Sequence, residues 1–211
     1  MRGASHVVFG LAGAVLIANI PPYLAGPSLH TSTITIDHVA EKVVFYGMAA
    51  LGALTPDIDN ARSTLGKRLG VVSRGLQHIA GHRTFFHSLA GLAIVGALVW
   101  AAQYGVGLAL AHLGLTITGD ALGAGLNPNG AFLTPGVGIA FGGLMVGYFL
   151  HLVADSLTEE GVPWLWPSRV YLGFPPNRHL RFRTGSAWEP VIVVAVAVIV
   201  LAAVIFGRIT I

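Results

Sequence analysis

Apolar residues in this chain come in long, nearly unbroken runs, with the polar residues gathered between them. Roughly 20 apolar residues in a row cross the hydrocarbon core of a bilayer. Five stretches approach that length: about Ser5 to Leu24, Ala40 to Leu54, Thr84 to His112, Gly136 to Leu157 and Val191 to Phe206. The first is broken near Pro21-Pro22. The second is stopped by Thr55-Pro56-Asp57 and reaches full length only if it extends back toward Asp37. The third is long enough to tilt or protrude. Before the fourth, Asn127-Pro128-Asn129-Gly130 reads as turns. The pattern predicts an all-α integral membrane bundle of about five transmembrane helices, organised as a single membrane domain over residues 1–211. With only Arg2 in front of it, the first run reads as a permanent helix rather than a cleaved secretory signal.

Composition agrees with a membrane setting. Hydrophobic residues make up 54% of the 211 positions and charged residues only 10%, against about 25% charged in a typical soluble domain. Too few polar side chains remain to coat a water-soluble particle. The 28 glycines suit helices that approach closely in lipid, where packing rather than hydrophobic exclusion holds them together. There are no cysteines, so disulfides and thiolate metal sites are excluded, and any transition metal must be held by imidazole and carboxylate.

Charge sets orientation. Arg2 precedes the first run; Arg62, Lys67, Arg68, Arg74 and Arg83 separate the second from the third; Arg169, Arg178, Arg181 and Arg183 separate the fourth from the fifth. The two remaining loops carry none, while Lys42 and Arg208 lie at the ends of runs. The positive-inside rule places the amino terminus in the cytoplasm and the carboxyl terminus outside, with the protein in the cell membrane. The net charge of +3 gives no nucleic-acid signature. Membrane lipids are the expected partners, and the oligomeric state is not encoded in any pattern.

Seven ionisable residues sit at or within the predicted helix ends: His6, Asp57, Asp59, His82, His87, His151 and Asp155. All fall on the cytoplasmic side, although the orientation was set by Lys and Arg alone. His151 and Asp155 are four apart in an otherwise apolar helix, so they share one face, and each is costly in lipid unless paired or coordinated. A buried His–Asp staple between helices is the simpler alternative. Asp57 and Asp59 follow the second helix, where carboxylates oppose the negative end of its dipole, so capping does not explain them and a nearby cation would. His82 and His87 are five apart and cannot share a helical face, which puts His82 in the loop and His87 in the first turn of the third helix. Arg83 between them suits phosphate or carboxylate binding. His78 and His179 share the cytoplasmic loops as candidate outer or substrate groups. His and Asp together favour zinc, and more than four donors suggest more than one ion. Manganese and iron, which accept mixed ligands, stay open.

Taken in order, Ser5-His6, Leu54-Thr55-Pro56-Asp57-Ile58-Asp59, His82-Arg83, His87-Ser88 and His151-Leu152-Val153-Ala154-Asp155 resemble the YdjM-type family of membrane-bound, metal-dependent hydrolases. The likeness continues through Thr158, Gly161, Trp166-Pro167 and Thr184-Gly185-Ser186 to Glu189. That family is in turn similar to zinc-dependent phospholipases C and P1-type nucleases, which implies a zinc phospholipase C-like core. The resemblance further implies that His6, Asp57, His82 or His87, His151 and Asp155 bind one to three zinc ions, and that metal-activated water cleaves a phosphate ester. Glu159, Glu160, His179 and Glu189 are the candidates for the further ligands such enzymes use. Asp57, Arg83 and Glu189 form the candidate catalytic set.

Residues 159–189 carry Trp164, Trp166, Tyr171 and Trp188 among prolines and arginines, a composition that settles at headgroup level. An interfacial loop or lid is expected there, able to present a phospholipid or other phosphoester to the metals. The competing expectations are a metal-ion transporter, because intramembrane ionisable residues also mark ion pathways, and a structural metal-binding membrane protein.

Overall fold

A computed structural model of the chain describes residues 1–18, 39–80, 84–112 and 135–206. The apolar runs fold as helices: α1 (Gly3–Ala18), α2 (Val39–Gly52), α5 (Leu89–His112), α6 (Pro135–Ser156) and α7 (Trp188–Ile205). Between α2 and α5 lie two shorter helices, α3 (Thr64–Leu69) and α4 (Val71–Ala80). Among the described residues there is no strand, only isolated bridges from Thr158 to Phe182 and from Val162 to Leu172.

Among the described residues three helices are long and apolar enough to cross a membrane: Leu89–Ala109 in α5, Val137–Ser156 in α6 and Trp188–Ile205 in α7. Three of the five expected spans thus reach full length within the described residues. In the described residues α1 has 16 residues and α2 has 14, below the roughly 20 that a span needs. The expected extensions toward Leu24 and Asp37 lie outside the described residues. The third run also begins later than expected, because Phe85–His87 forms a 3₁₀ turn and Ser88 caps α5, its Oγ accepting from Gly91 N at 3.0 Å. The fifth begins earlier, at Trp188, since Pro190 is compatible with a first helical turn. The basic stretch after Asp59, read as loop, contains α3 and α4. Ser63 caps α3 by accepting from Gly66 N at 2.9 Å, and the Ser73 hydroxyl donates to Ile58 O at 2.7 Å.

The centre of the bundle is α6. Half of its spanning window is buried inside the protein, against 11% for α5 and 17% for α7, which face outward. α6 packs most extensively on α2 and also on α1, while α7 lies against α1. The α2–α6 contact is backbone to backbone: a Cβ on Gly147 would collide with the Ala49 carbonyl, and one on Gly52 with that of Leu144. Ala14, Phe45, Ala49, Ile139 and Leu150 fill the core beside this contact.

Candidate metal centre

Helices α1 and α5 begin, and α2 and α6 end, at one end of the bundle, so residues distant in sequence meet there. His6 comes from the first turns of α1. Asp57 and Asp59 come from a 3₁₀ turn (Pro56–Asp59) that follows α2, His87 from the turn before α5, and His151 and Asp155 from the end of α6. All except Asp57 are fully buried; the Asp57 side chain keeps 13% of its surface exposed, which makes it the member at the mouth.

The supporting bonds are specific. Tyr148 Oη on α6 donates to Phe86 O at 2.7 Å and fixes the turn that carries His87. Ser63 Oγ donates to Asp57 O at 2.8 Å. His151 Nδ1 stands 2.7 Å from the Ala53 carbonyl; a carbonyl only accepts, so Nδ1 carries a proton, and in the neutral ring Nε2 presents its lone pair inward. His151 Nε2 is 3.2 Å from His87 Nε2 and 3.7 Å from Asp155 Oδ2. His87 Nε2 lies 3.7 Å from both Asp57 Oδ1 and Asp155 Oδ2, and His87 Nδ1 lies 3.6 Å from Asp59 Oδ2. The His6 ring stacks on His151 with centroids 3.6 Å apart, and His6 Nε2 is 3.3 Å from Asp155 Oδ1.

These residues fit a divalent ion. Ligands about 2.1 Å from a tetrahedral zinc stand about 3.4 Å from one another, close to the 3.2 to 3.7 Å separations among His87, His151 and the two carboxylates. Two groups of donor atoms, His6–Asp57–His151 and His87–His151–Asp155, each lie within 4.8 Å and share His151. Among the described residues His6 Nδ1 has no hydrogen-bond partner despite full burial, and Nε2 faces Asp155 Oδ1 without good hydrogen-bond geometry, a costly state that coordination would relieve.

A family model described as YdjM inner membrane protein matches residues 1–210. The chain belongs to the YdjM family. It is 32% identical over 177 residues to "Inner membrane protein YdjM" of Escherichia coli (strain K12), covering 83% of this chain and 70% of that one, and equally to the protein of that name from Shigella flexneri. It is 26% identical over 192 residues to "Uncharacterized protein YvsG" of Bacillus subtilis (strain 168), covering 91% of this chain and 87% of the relative. No solved structure matches the chain significantly. The protein is therefore a membrane protein of the YdjM family, with a buried His/Asp cluster able to hold a metal ion.

Six of the seven residues named from sequence as ligands are brought together in this YdjM-family chain. His82, like the candidate catalytic Arg83, lies outside the described residues. Glu189 is buried near the cluster but belongs to neither donor group; its carboxylate accepts from Arg2 N at 2.6 Å and Gly185 N at 2.7 Å. His78 and His179 are exposed and stand apart from the cluster. Two participants had no signal in the sequence: the Ala53 carbonyl, and the Met1 amine, buried 2.6 Å from Asp155 Oδ1.

Burial alone pushes the His87 imidazole down, but the Asp57 and Asp59 carboxylates facing it, with the charge of Asp155, prevail and raise it to about 9. Burial pushes the Asp57 carboxyl up, and His87, with the nearby His151 and His6 rings, outweighs it and holds Asp57 well below the usual carboxylate range. A proton on His87 thus competes with a metal for the same carboxylates. Uptake of a divalent ion should release that proton, so the apparent zinc affinity should rise about tenfold per pH unit from neutrality up to about 9, then flatten. Titration against a competing chelator at pH 6.5, 7.5 and 8.5 checks this, and a flat profile would contradict it. In chelated protein, the same shift contributes stability that is complete below the ordinary value of 6.5 and is lost as pH rises through about 9.

Proposed function

We propose that this protein is a membrane-embedded, metal-dependent hydrolase that cleaves a phosphate ester with metal-activated water at the cytoplasmic face of the cell membrane. The observation that carries the reading is the convergence of His6, Asp57, His87, His151 and Asp155, from separate helices and turns, on one buried locus with ligand-like spacing. The donor chemistry favours zinc; because His151 offers one nitrogen to both donor groups, they are alternative seats for a single ion, while the resemblance to zinc phospholipases C and P1-type nucleases implies up to three. When bound, the ion supplies Lewis acidity, polarising a phosphoryl oxygen and lowering the pKa of water toward neutrality.

The chain's own residues do the rest. His151 is oriented by Ala53, and His87 is pinned by the turn that Tyr148 holds. Asp57, the member of the cluster that reaches the surface, is placed to take a proton from water as the new P–O bond forms and to return it to the ester oxygen as the ester P–O bond breaks. The lack of Lys and Arg in the opposite loops supports a cytoplasmic amino terminus and metal site. Leu165, Trp166, Tyr171, Phe174 and Trp188 are exposed at this end of the bundle, which supports residues 159–189 as a platform seated in the headgroup layer that presents a lipid or other phosphoester substrate.

The test is turnover of phospholipid and of a generic phosphodiester and phosphomonoester by purified protein, before and after chelation, with elemental analysis of the same samples. Chelation should abolish hydrolysis and zinc should restore it. Glu189→Gln, which disturbs a carboxylate bridging two backbone donors, should lower stability by about 2 kcal/mol while keeping the metal. A fully metal-loaded protein with no turnover on any of these substrates would sink the hydrolase reading.

A further inference from the structure

Above Asp57 lies a cavity of about 480 Å³, within the range of about 300–1,000 Å³ typical of small-molecule sites. It has a different chemistry from the cluster beneath. Arg2 and Arg62 line it, together with Asn60 and Thr184, and among the described residues neither guanidinium makes a hydrogen bond or an ion pair. From this geometry we infer that the cavity is the anion-binding antechamber of the site, in which Arg2 and Arg62 grip the terminal oxygens of a phosphomonoester and hand its phosphorus to the locus at Asp57. The inference rests on the hydrolase reading and narrows its substrate class.

The backbone of both arginines is anchored, while their side chains are exposed toward the cavity. The Arg2 amide donates to Glu189 Oε1 at 2.6 Å, and Gly185 N donates to Oε2 of the same carboxylate at 2.7 Å, so Glu189 ties the start of α1 to the segment preceding α7. Gly185 has φ +79, a conformation that side chains rarely adopt. A Cβ there would sit 3.6 Å from Arg2 Nη2, so the bare glycine lies directly against the guanidinium. Glu189 is on this account a positioning residue. The Arg62 amide donates to Asn60 Oδ1 at 3.0 Å, and Ser63, next along the chain, is bonded to the Asp57 carbonyl. The turn that bears Arg62 is thereby locked to the turn that bears Asp57.

The charge count favours a monoester. A phosphodiester carries one negative charge and one pair of free oxygens, which a single bidentate arginine satisfies. Two planar forks, each with fixed donors, match the three terminal oxygens and double charge of a monoester. Thr184 Oγ1 is buried without a hydrogen-bond partner among the described residues and supplies one further donor. The carboxylates on the cavity wall are Asp57, whose charge is committed to the cluster, and Glu160, which is already engaged by a partner. Soluble phosphomonoesters and a lipid phosphomonoester such as phosphatidic acid share the recognised group.

Binding of inorganic phosphate to the full chain, in nanodiscs of neutral lipid and with the metal content of every sample recorded, tests the assignment. Wild-type protein should bind phosphate, Arg2→Gln and Arg62→Gln should each weaken binding at least tenfold with unchanged metal content, and Arg62→Lys should recover part of the loss. Glycerol phosphate should displace phosphate at least tenfold better than dimethyl phosphate. Displacement by glycerol phosphate alone marks a soluble substrate and displacement by phosphatidic acid in the disc a lipid one, and either supports the site. Metal-loaded wild type that ignores phosphate, or glutamine variants that bind it as wild type does, would overturn the antechamber while leaving the metal centre untouched. A chain without metal that still binds phosphate through both arginines would instead separate the anion site from a failed hydrolase reading.

Discussion

His151→Ala should leave the purified protein with less than about a tenth of its metal and cut hydrolysis at least a hundredfold. The size follows from its position. Losing a group that merely orients a ligand costs roughly 10- to 100-fold in metal affinity or activity, whereas His151 belongs to both donor groups and its removal acts on both at once. The substitution also strips the Ala53 carbonyl of its donor and unstacks His6, which costs about 1–3 kcal/mol for a buried polar group left unpaired. Elemental analysis and turnover on the same preparation check the two effects together, with thermal melting to separate lost ligation from lost fold. Variant protein that keeps full metal and wild-type turnover would remove His151 from the centre.

Gly147→Leu should be worse for the fold than any single ligand change. The glycine sits where the α6 backbone meets the Ala49 carbonyl of α2, and Gly143 faces the Phe45 carbonyl one turn away. No rotamer change can absorb a collision with backbone, so the helices must part. Overpacking costs about 1–3 kcal/mol in ordinary cores and more when the backbone has to yield, so a loss above about 3 kcal/mol is expected, a large share of the few kcal/mol that hold a domain together. Because Asp57 trails α2 and His151 rides on α6, the same separation opens the metal site. Melting temperature and metal content should fall in step. Gly142→Leu, where a Cβ has nothing within 4 Å, is the matched control and should stay within about 0.5 kcal/mol of the parent.

The helices and the ligands were legible for different reasons. Runs such as Val191 to Phe206 announce helix because lipid demands both apolar side chains and internally bonded backbone. His151 and Asp155 stood out because charge in such a run needs a partner. Their convergence with His6 and Asp57 was anticipated from the shared side of the membrane, yet nothing in the pattern could give the 3₁₀ turns that aim Asp57 and His87. Those turns depend on bonds such as Tyr148 to Phe86 across 62 positions. α3 and α4 were hidden because their polar residues and glycines read as loop, and their fold depends on Ser63 and Ser73 reaching neighbouring backbone. Glu189 was singled out by motif order alone; only the geometry reveals the two amides it joins.

Between α6 and α7 the chain has little apolar interior of its own, and a single cation stands in for one. Arg181 donates to the carbonyls of Pro175 and Pro176 at 2.7 and 2.8 Å, and Phe174 N reaches back to Ser156 O, at the tip of α6, at 2.7 Å. A knot tied by contact-range bonds of this kind is barely loosened by salt, since screening acts on charges separated by a Debye length and not on touching atoms. The stretch is therefore built less like a flap than like a keystone, wedged at the end of the helix that carries His151 and Asp155.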